Sequence, residues 1–240
     1  MSRYASIVVG ILVAAVCVRL GVWQLDRLTQ RKASNAIVRE QLTAPVLAVD
    51  DPRVWADPSA TDVLRHRRVT GTGVYDFERE VMVMARVHRG VPGVHVVTPL
   101  RITDDLAVLV ERGWVPASDG KRPAIDLAET GDTVLVSGVF VTPGEGATAQ
   151  SADPGWPRYV TGLNVTVLSA AYSYRLAPLI LRRTELPATA PTDMRAIPLP
   201  PMTNGPHLSY AAQWFAFATI ALVGSFIVFR RQGRWGVTVS

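Results

Sequence analysis

The sequence predicts two transmembrane α-helices flanking a mainly antiparallel, barrel-like β domain. Two apolar runs of lipid length stand near the two ends of the 240 residues. The basic excess sits only beside those runs, and the stretch between them breaks into short strands punctuated by glycine and proline. The formal net charge is +5, yet between Asp26 and His207 there are 20 basic and 20 acidic side chains. The whole excess comes from Arg3, Arg19, Arg230, Arg231 and Arg234. A neutral middle with basic membrane flanks excludes a nucleic-acid face and makes the lipid bilayer the first partner. Cys17 is the single cysteine, which excludes an intramolecular disulfide, a CxxC pair and a thiolate-clustered metal site.

Residues 5–25 form the first expected span, whose apolar run would cross as a helix about 28 Å long. Arg19 is its one charge, close enough to the end of the run to snorkel toward the surface with its stem in lipid. The apolar stretch is long for a cleaved signal peptide and lacks a small-x-small site, so it reads as a retained anchor. Residues 26–66 follow as a juxtamembrane helix, polar to about Leu42, and a connector rich in proline, aspartate and alanine. Residues 67–184 carry the strands. Segments 68–75, 80–87, 94–101, 106–111, 133–141 and 177–182 are rich in valine and leucine, and Thr103-Asp104-Asp105 reads as a hairpin turn. Segment 142–157 reads as a long loop, and 163–174 as a short helix or strand. Residues 185–207 hold Pro187, Pro191, Pro198, Pro200 and Pro201, a stiff extended connector.

Residues 208–229 form the second expected span. Residues 210–229 carry no formal charge and, as a helix, extend about 30 Å. Pro206 suits the helix start, and Tyr210, Trp214 and Phe215 place aromatic rings at headgroup level. Arg230, Arg231 and Arg234 then pull residues 230–240 toward the cytoplasm as a basic tail. Two spans place both termini on that side, and the middle domain outside it.

No enzyme signature emerges. The four histidines, His66, His88, His95 and His207, show no i,i+4 pair, and no serine sits in GxSxG. His66 lies among Arg65, Arg67 and Arg68, which disfavours its protonation. His88 and His95 flank a glycine-rich turn. The segment Arg112-Gly113-Trp114-Val115-Pro116 reads as a corner at a strand end. Arg112 beside Trp114 offers a fixed fork and a rigid apolar surface for a carboxylate, and the same residues equally suit an internal structural corner. His207 is the strongest chemical candidate: a neutral imidazole at a membrane mouth can ligate haem iron. On a helix, Ala211, Trp214, Ala218 and Ala221 follow it at three- and four-residue steps, with Trp214 edging the same groove.

Five segments in order resemble the Surf1 (surfeit locus protein 1) family of cytochrome c oxidase assembly factors. They are Leu20-Gly21-Val22-Trp23-Gln24-Leu25-Asp26-Arg27 with Lys32; Arg67-Arg68-Val69 before Gly71 and Gly73; Val97-Thr98-Pro99-Leu100; Val108-Leu109-Val110-Glu111-Arg112-Gly113-Trp114-Val115-Pro116; and His207-Leu208-Ser209-Tyr210-Ala211-Ala212-Gln213-Trp214-Phe215. Two departures stand beside them: Gly205-Pro206 precedes His207 where the family usually has asparagine, and Glu111 stands where asparagine is common. The resemblance implies a two-span plasma-membrane protein that is no enzyme. It implies help in delivering or inserting haem a into cytochrome c oxidase subunit I, with haem a synthase a further partner. It also implies haem a binding by a histidine of the second helix, here His207, with Trp214 beside it. Arg112 and Trp114 would then contact a haem propionate or a partner. The alternative expectation is a membrane scaffold that holds subunit I or a haem-synthesis enzyme and binds no haem itself.

Overall fold

In the computed structural model the described residues are 3–56, 61–119, 123, 127, 133–143, 156 and 158–234. They fall into two compact units, residues 1–37 with 201–240, and residues 38–200. The expected loops over 126–132 and 142–157 lie mostly outside the described residues, as does the tail beyond 234.

The first unit consists of α1 (Arg3–Thr43, of which residues up to 37 belong here) and α5 (His207–Arg234). Both are long and apolar enough to cross a membrane. They pack antiparallel: the ring of Tyr4 lies 6.1 Å from that of Phe229, and Ala14 and Cys17 bury against Ala218. Outward they present Val8, Val9, Ile11, Leu12 and Val16 on one helix, and Phe217, Ile220, Val223 and Phe226 on the other, all exposed. An apolar surface of that extent suits lipid and not water. Small residues at the seam let the two backbones approach, as helix pairs in lipid require.

Among the described residues the second unit shows eight strands: β1 (Leu47–Ala48), β2 (Arg68–Tyr75), β3 (Val81–His88), β4 (Val91–Arg101), β5 (Leu106–Pro116), β6 (Val134–Val141), β7 (Arg158–Val160) and β8 (Arg175–Arg183). Three short helices, α2 (Pro52–Ala56), α3 (Thr61–Leu64) and α4 (Val165–Ser169), accompany them. Five strands close on themselves in the order β2-β6-β8-β5-β4, with β4 returning to β2 through Val74–Arg101 and Tyr75–Leu100. Four of the five contacts around this barrel are antiparallel, and β5–β8 is parallel. Beyond the closed ring, β1 adds to β2 in parallel, and β3 and β7 extend outward from β4.

The hairpin across Thr103-Asp104-Asp105 forms as its sequence predicts. The 163–174 stretch resolves into α4, whose first turn is capped by the Asn164 side chain accepting from the Val167 N–H. Pro178 falls within the register irregularity between Ala107–Leu176 and Leu109–Ile180, where a missing N–H is tolerated. Strand β5 is buried at nearly every position, because both of its faces are covered. Val108 and Val110 point into the barrel with Leu100, Phe140, Leu179 and Leu181. Ala107 and Leu109 point outward onto Val81, Val83, Val160 and Leu168. That double burial replaces the alternating pattern expected of a strand with one wet face.

Candidate functional site

His207 is the first residue of α5, and the backbone ahead of it is shaped by Gly205-Pro206. Gly205 sits in the left-handed region at φ +67°, and a Cβ there would stand 3.2 Å from the His207 Nε2 and Cδ2. The glycine therefore serves both the turn and the close passage beside the imidazole. The Pro206 carbonyl accepts from the Tyr210 N–H at 3.1 Å and from the Ser209 hydroxyl at 2.8 Å, fixing the first turn of the helix. Across the seam, His207 Nδ1 lies 2.8 Å from the amide oxygen of Gln24. An amide oxygen only accepts, so in this pairing Nδ1 carries the proton and Nε2 keeps its lone pair. On the same side Asn35 Nδ2 donates to the Thr203 carbonyl and to Asn204 Oδ1, each at 3.2 Å, which ties the approach to α5 onto α1.

An open depression of about 420 Å³ lies beside the imidazole, lined by Arg27, Gln30, Arg31, Ser34 and His207. Its wall is cationic, with no acidic side chain among the five. Arg27 donates to Gln30 Oε1 at 3.1 Å and lies 5.7 Å over the Trp23 ring. Trp214 occupies a different place. It packs onto the Ala14, Cys17 and Ala218 cluster, with its ring edge-on to Phe217 at 5.9 Å. Seven residues separate it from His207, about 10 Å of helix, and it does not line the depression.

The Arg112-Gly113-Trp114 segment lies inside β5 and not at a corner. Val96 pairs with Gly113 and Val97 with Glu111, so Arg112 is the extra residue of a β-bulge. Its guanidinium is fully buried. It donates to Glu80 Oε1 at 2.8 Å, to Thr98 Oγ1 at 3.3 Å and to the Leu127 carbonyl. It also lies 5.2 Å and 5.1 Å over the rings of Tyr75 and Phe77. Thr98 in turn donates to the same Glu80 oxygen at 2.6 Å. A buried charge held this way needs all of its partners. Trp114 is buried too, with its ring 5.2 Å from His88 and its indole N–H donating to the Arg86 carbonyl at 3.3 Å. Its backbone exchanges two hydrogen bonds with Arg195 at 2.8 Å, so the proline-rich segment is stitched onto β5 here. Gly113 is not at positive φ. Its role is close approach, since a Cβ would stand 2.5 Å from Met194 Cγ and 2.9 Å from the Arg195 carbonyl oxygen.

The structure adds a group that the sequence does not announce. Glu111, also buried, receives His95 Nδ1 at 2.6 Å and Arg182 Nε at 2.5 Å. Burial alone would push its carboxyl up; the His95 hydrogen bond, with Arg182, outweighs that and holds it below the usual glutamate range. His95 thus takes Glu111 and His88 takes Trp114. Partial burial, with Arg65 second, holds His66 below the ordinary histidine value, in the direction expected from its arginine neighbours. Among the described residues, no three histidine, cysteine or acidic side chains come together to hold a metal ion.

Together these features define a class: a small mixed β-barrel carried between two apolar helices long enough to span a membrane, with a histidine and two arginines at the mouth of the helix pair. The SURF1 family pattern matches residues 11–219, and the chain belongs to that family. A SURF1-like protein of Monosiga brevicollis is 28% identical over 236 residues, covering 92% of this chain and 86% of its own length. An uncharacterised SURF1-like protein of Mycobacterium bovis is 29% identical over 210 residues, covering 85% of this chain and 74% of its own. Surfeit locus protein 1 of Takifugu rubripes is 30% identical over 122 residues, covering 44% of this chain and 49% of its own.

Proposed function

We propose that this protein is a plasma-membrane assembly factor for haem-copper cytochrome c oxidase, which holds haem a through His207 and passes it to subunit I. The observation that carries the reading is the Gln24–His207 pair. The Gln24 amide oxygen accepts a hydrogen bond from Nδ1–H, which leaves the Nε2 lone pair of the neutral imidazole as the ligand at the membrane mouth. A haem is an amphiphilic disc, and the end of an apolar helix pair suits it. Ligation by the one imidazole that lines the depression favours handover over storage, and haem a synthase fits as the donor. Arg112 and Trp114 support this function by holding the β domain together, with Arg112 paired to the Glu80 carboxylate inside it.

The test is the haem content of full-length protein, purified in detergent from cells that make haem a. The wild type is expected to carry a haem a spectrum, and His207→Ala to lose most of it at equal protein yield. Equal haem in both would remove His207 as the ligand. Absence of haem from the wild type, with subunit I still co-purifying, would replace this reading with a scaffold that holds its partners and no haem.

A further inference from the structure

We infer that Arg27 and Arg31 of α1 form the carboxylate-binding wall of the His207 site, so that the site reads two chemistries at once, a metal at Nε2 and the propionates of a macrocycle on the two guanidiniums. The inference rests on the haem reading above and goes beyond it by assigning residues of the first helix. Arg27 and Arg31 are four residues apart, so they stack on one helix face, one turn above the other. Gln24, which holds the imidazole, lies three residues before Arg27 on the same helix, a rise of about 4.5 Å. Iron ligand and cationic wall are thus set by one rigid element, at a spacing fixed by helix geometry. The depression they share contains no acidic lining residue. Gln30 accepts from Arg27 and Trp23 supports it from the other side, which holds one fork in place without neutralising it. Guanidinium forks match planar carboxylates in a way that lysine would not. A phospholipid phosphate is the competing anion at such a depth. The propionate assignment is favoured because His207 lines the same depression, and a lipid headgroup has no use for an imidazole lone pair.

Full-length protein in uncharged detergent is titrated with haem b and with haem b dimethyl ester, in which the carboxylates are blocked. Wild type, Arg27→Gln/Arg31→Gln and His207→Ala are compared by absorbance. The wild type should bind the free acid about tenfold tighter than the ester, in line with charge-assisted hydrogen bonds. The double variant should bind both at the ester's affinity, with the imidazole-ligated spectrum intact. Glutamine retains helix propensity, and unchanged helix content serves as the folding control. Equal wild-type affinity for acid and ester, or an acid preference that survives in the double variant, would overturn the assignment while leaving His207 ligation standing. A spectrum unchanged in His207→Ala would strike the haem reading itself, and no binding by the wild type would remove both. Arginine-dependent retention of anionic phospholipid without acid-over-ester preference would give the wall to lipid and overturn the inference.

Discussion

At the scale of single residues, two buried ionic groups divide the labour of the β domain. Arg112 lies wholly inside, on Glu80, Thr98 and the Leu127 carbonyl. Arg112→Ala would take the guanidinium away from the buried Glu80 carboxylate, a loss of about 3–5 kcal/mol. The variant should therefore show less protein in the membrane and a lowered unfolding temperature in detergent, with oxidase haem a falling only in proportion to the protein. Oxidase falling while the protein stays at its normal level would instead place the guanidinium in direct contact with a partner or propionate. Glu111 gives a pH signature. Its folded carboxyl lies below the ordinary glutamate value, so its stabilisation is fully present above that value and is lost as pH falls through the depressed one. Glu111→Gln should be less stable than wild type near pH 7, and the gap should close as both are taken below about pH 4. Thermal melts across that window check it; a gap independent of pH would mean that the Glu111 charge is not what stabilises. None of this pairing was legible in the sequence. Glu111 stands 16 residues from His95 and 71 from Arg182, and only strand order brings them together.

At the scale of elements, the sequence located the helices and most strands closely, because their signals are local. The segment 68–75 became β2 residue for residue, and the apolar runs became α1 and α5. In the sequence the Arg-Gly-Trp segment looks like a corner, because glycine followed by Trp-Val-Pro mimics a strand end, whereas the structure runs it through β5. A bulge needs a partner strand to reveal it, and the close approach of 194–195 comes from a segment 81 residues away that carries no strand pattern of its own. Gly113→Val should cost about 1–3 kcal/mol by overpacking against Met194 and the Arg195 carbonyl. It should also loosen the stitched segment, read as faster proteolysis between 186 and 200. Met194→Ala should restore part of the stability by removing the softer of the two obstacles. A Gly113→Val protein as stable and as protease-resistant as wild type would refute the close-approach role. In the candidate site, His207 was legible from its place at the helix mouth. Gln24, Arg27 and Arg31 were not singled out for it, since nothing local links residue 24 to residue 207.

At the scale of the whole molecule, the two spans and the arginines after the second set an expected topology, with both termini in the cytoplasm and residues 26–207 outside it. Alkaline phosphatase fused near Gly144 should be active, and a fluorescent protein fused after Ser240 should fluoresce. The opposite pattern would put the β domain in the cytoplasm and end any delivery from the outer face. Neither result depends on the haem site, so topology and ligand chemistry are tested separately.

The placement of β8 bears on how the chain is made. β8 is the wedge between β5 and β6, parallel to one and antiparallel to the other. Until residue 183 has been synthesised, those two strands face each other across a gap with unpaired backbone on both sides. Two open edges on apolar strands are a sticky intermediate. The barrel can therefore close only late, although α1 is made first and about 50 residues remain before α5 ends, when the last barrel strand arrives. Synthesis order thus exposes the domain to proteases and wrong pairing for most of its own translation, and ends that exposure just before the second anchor is delivered.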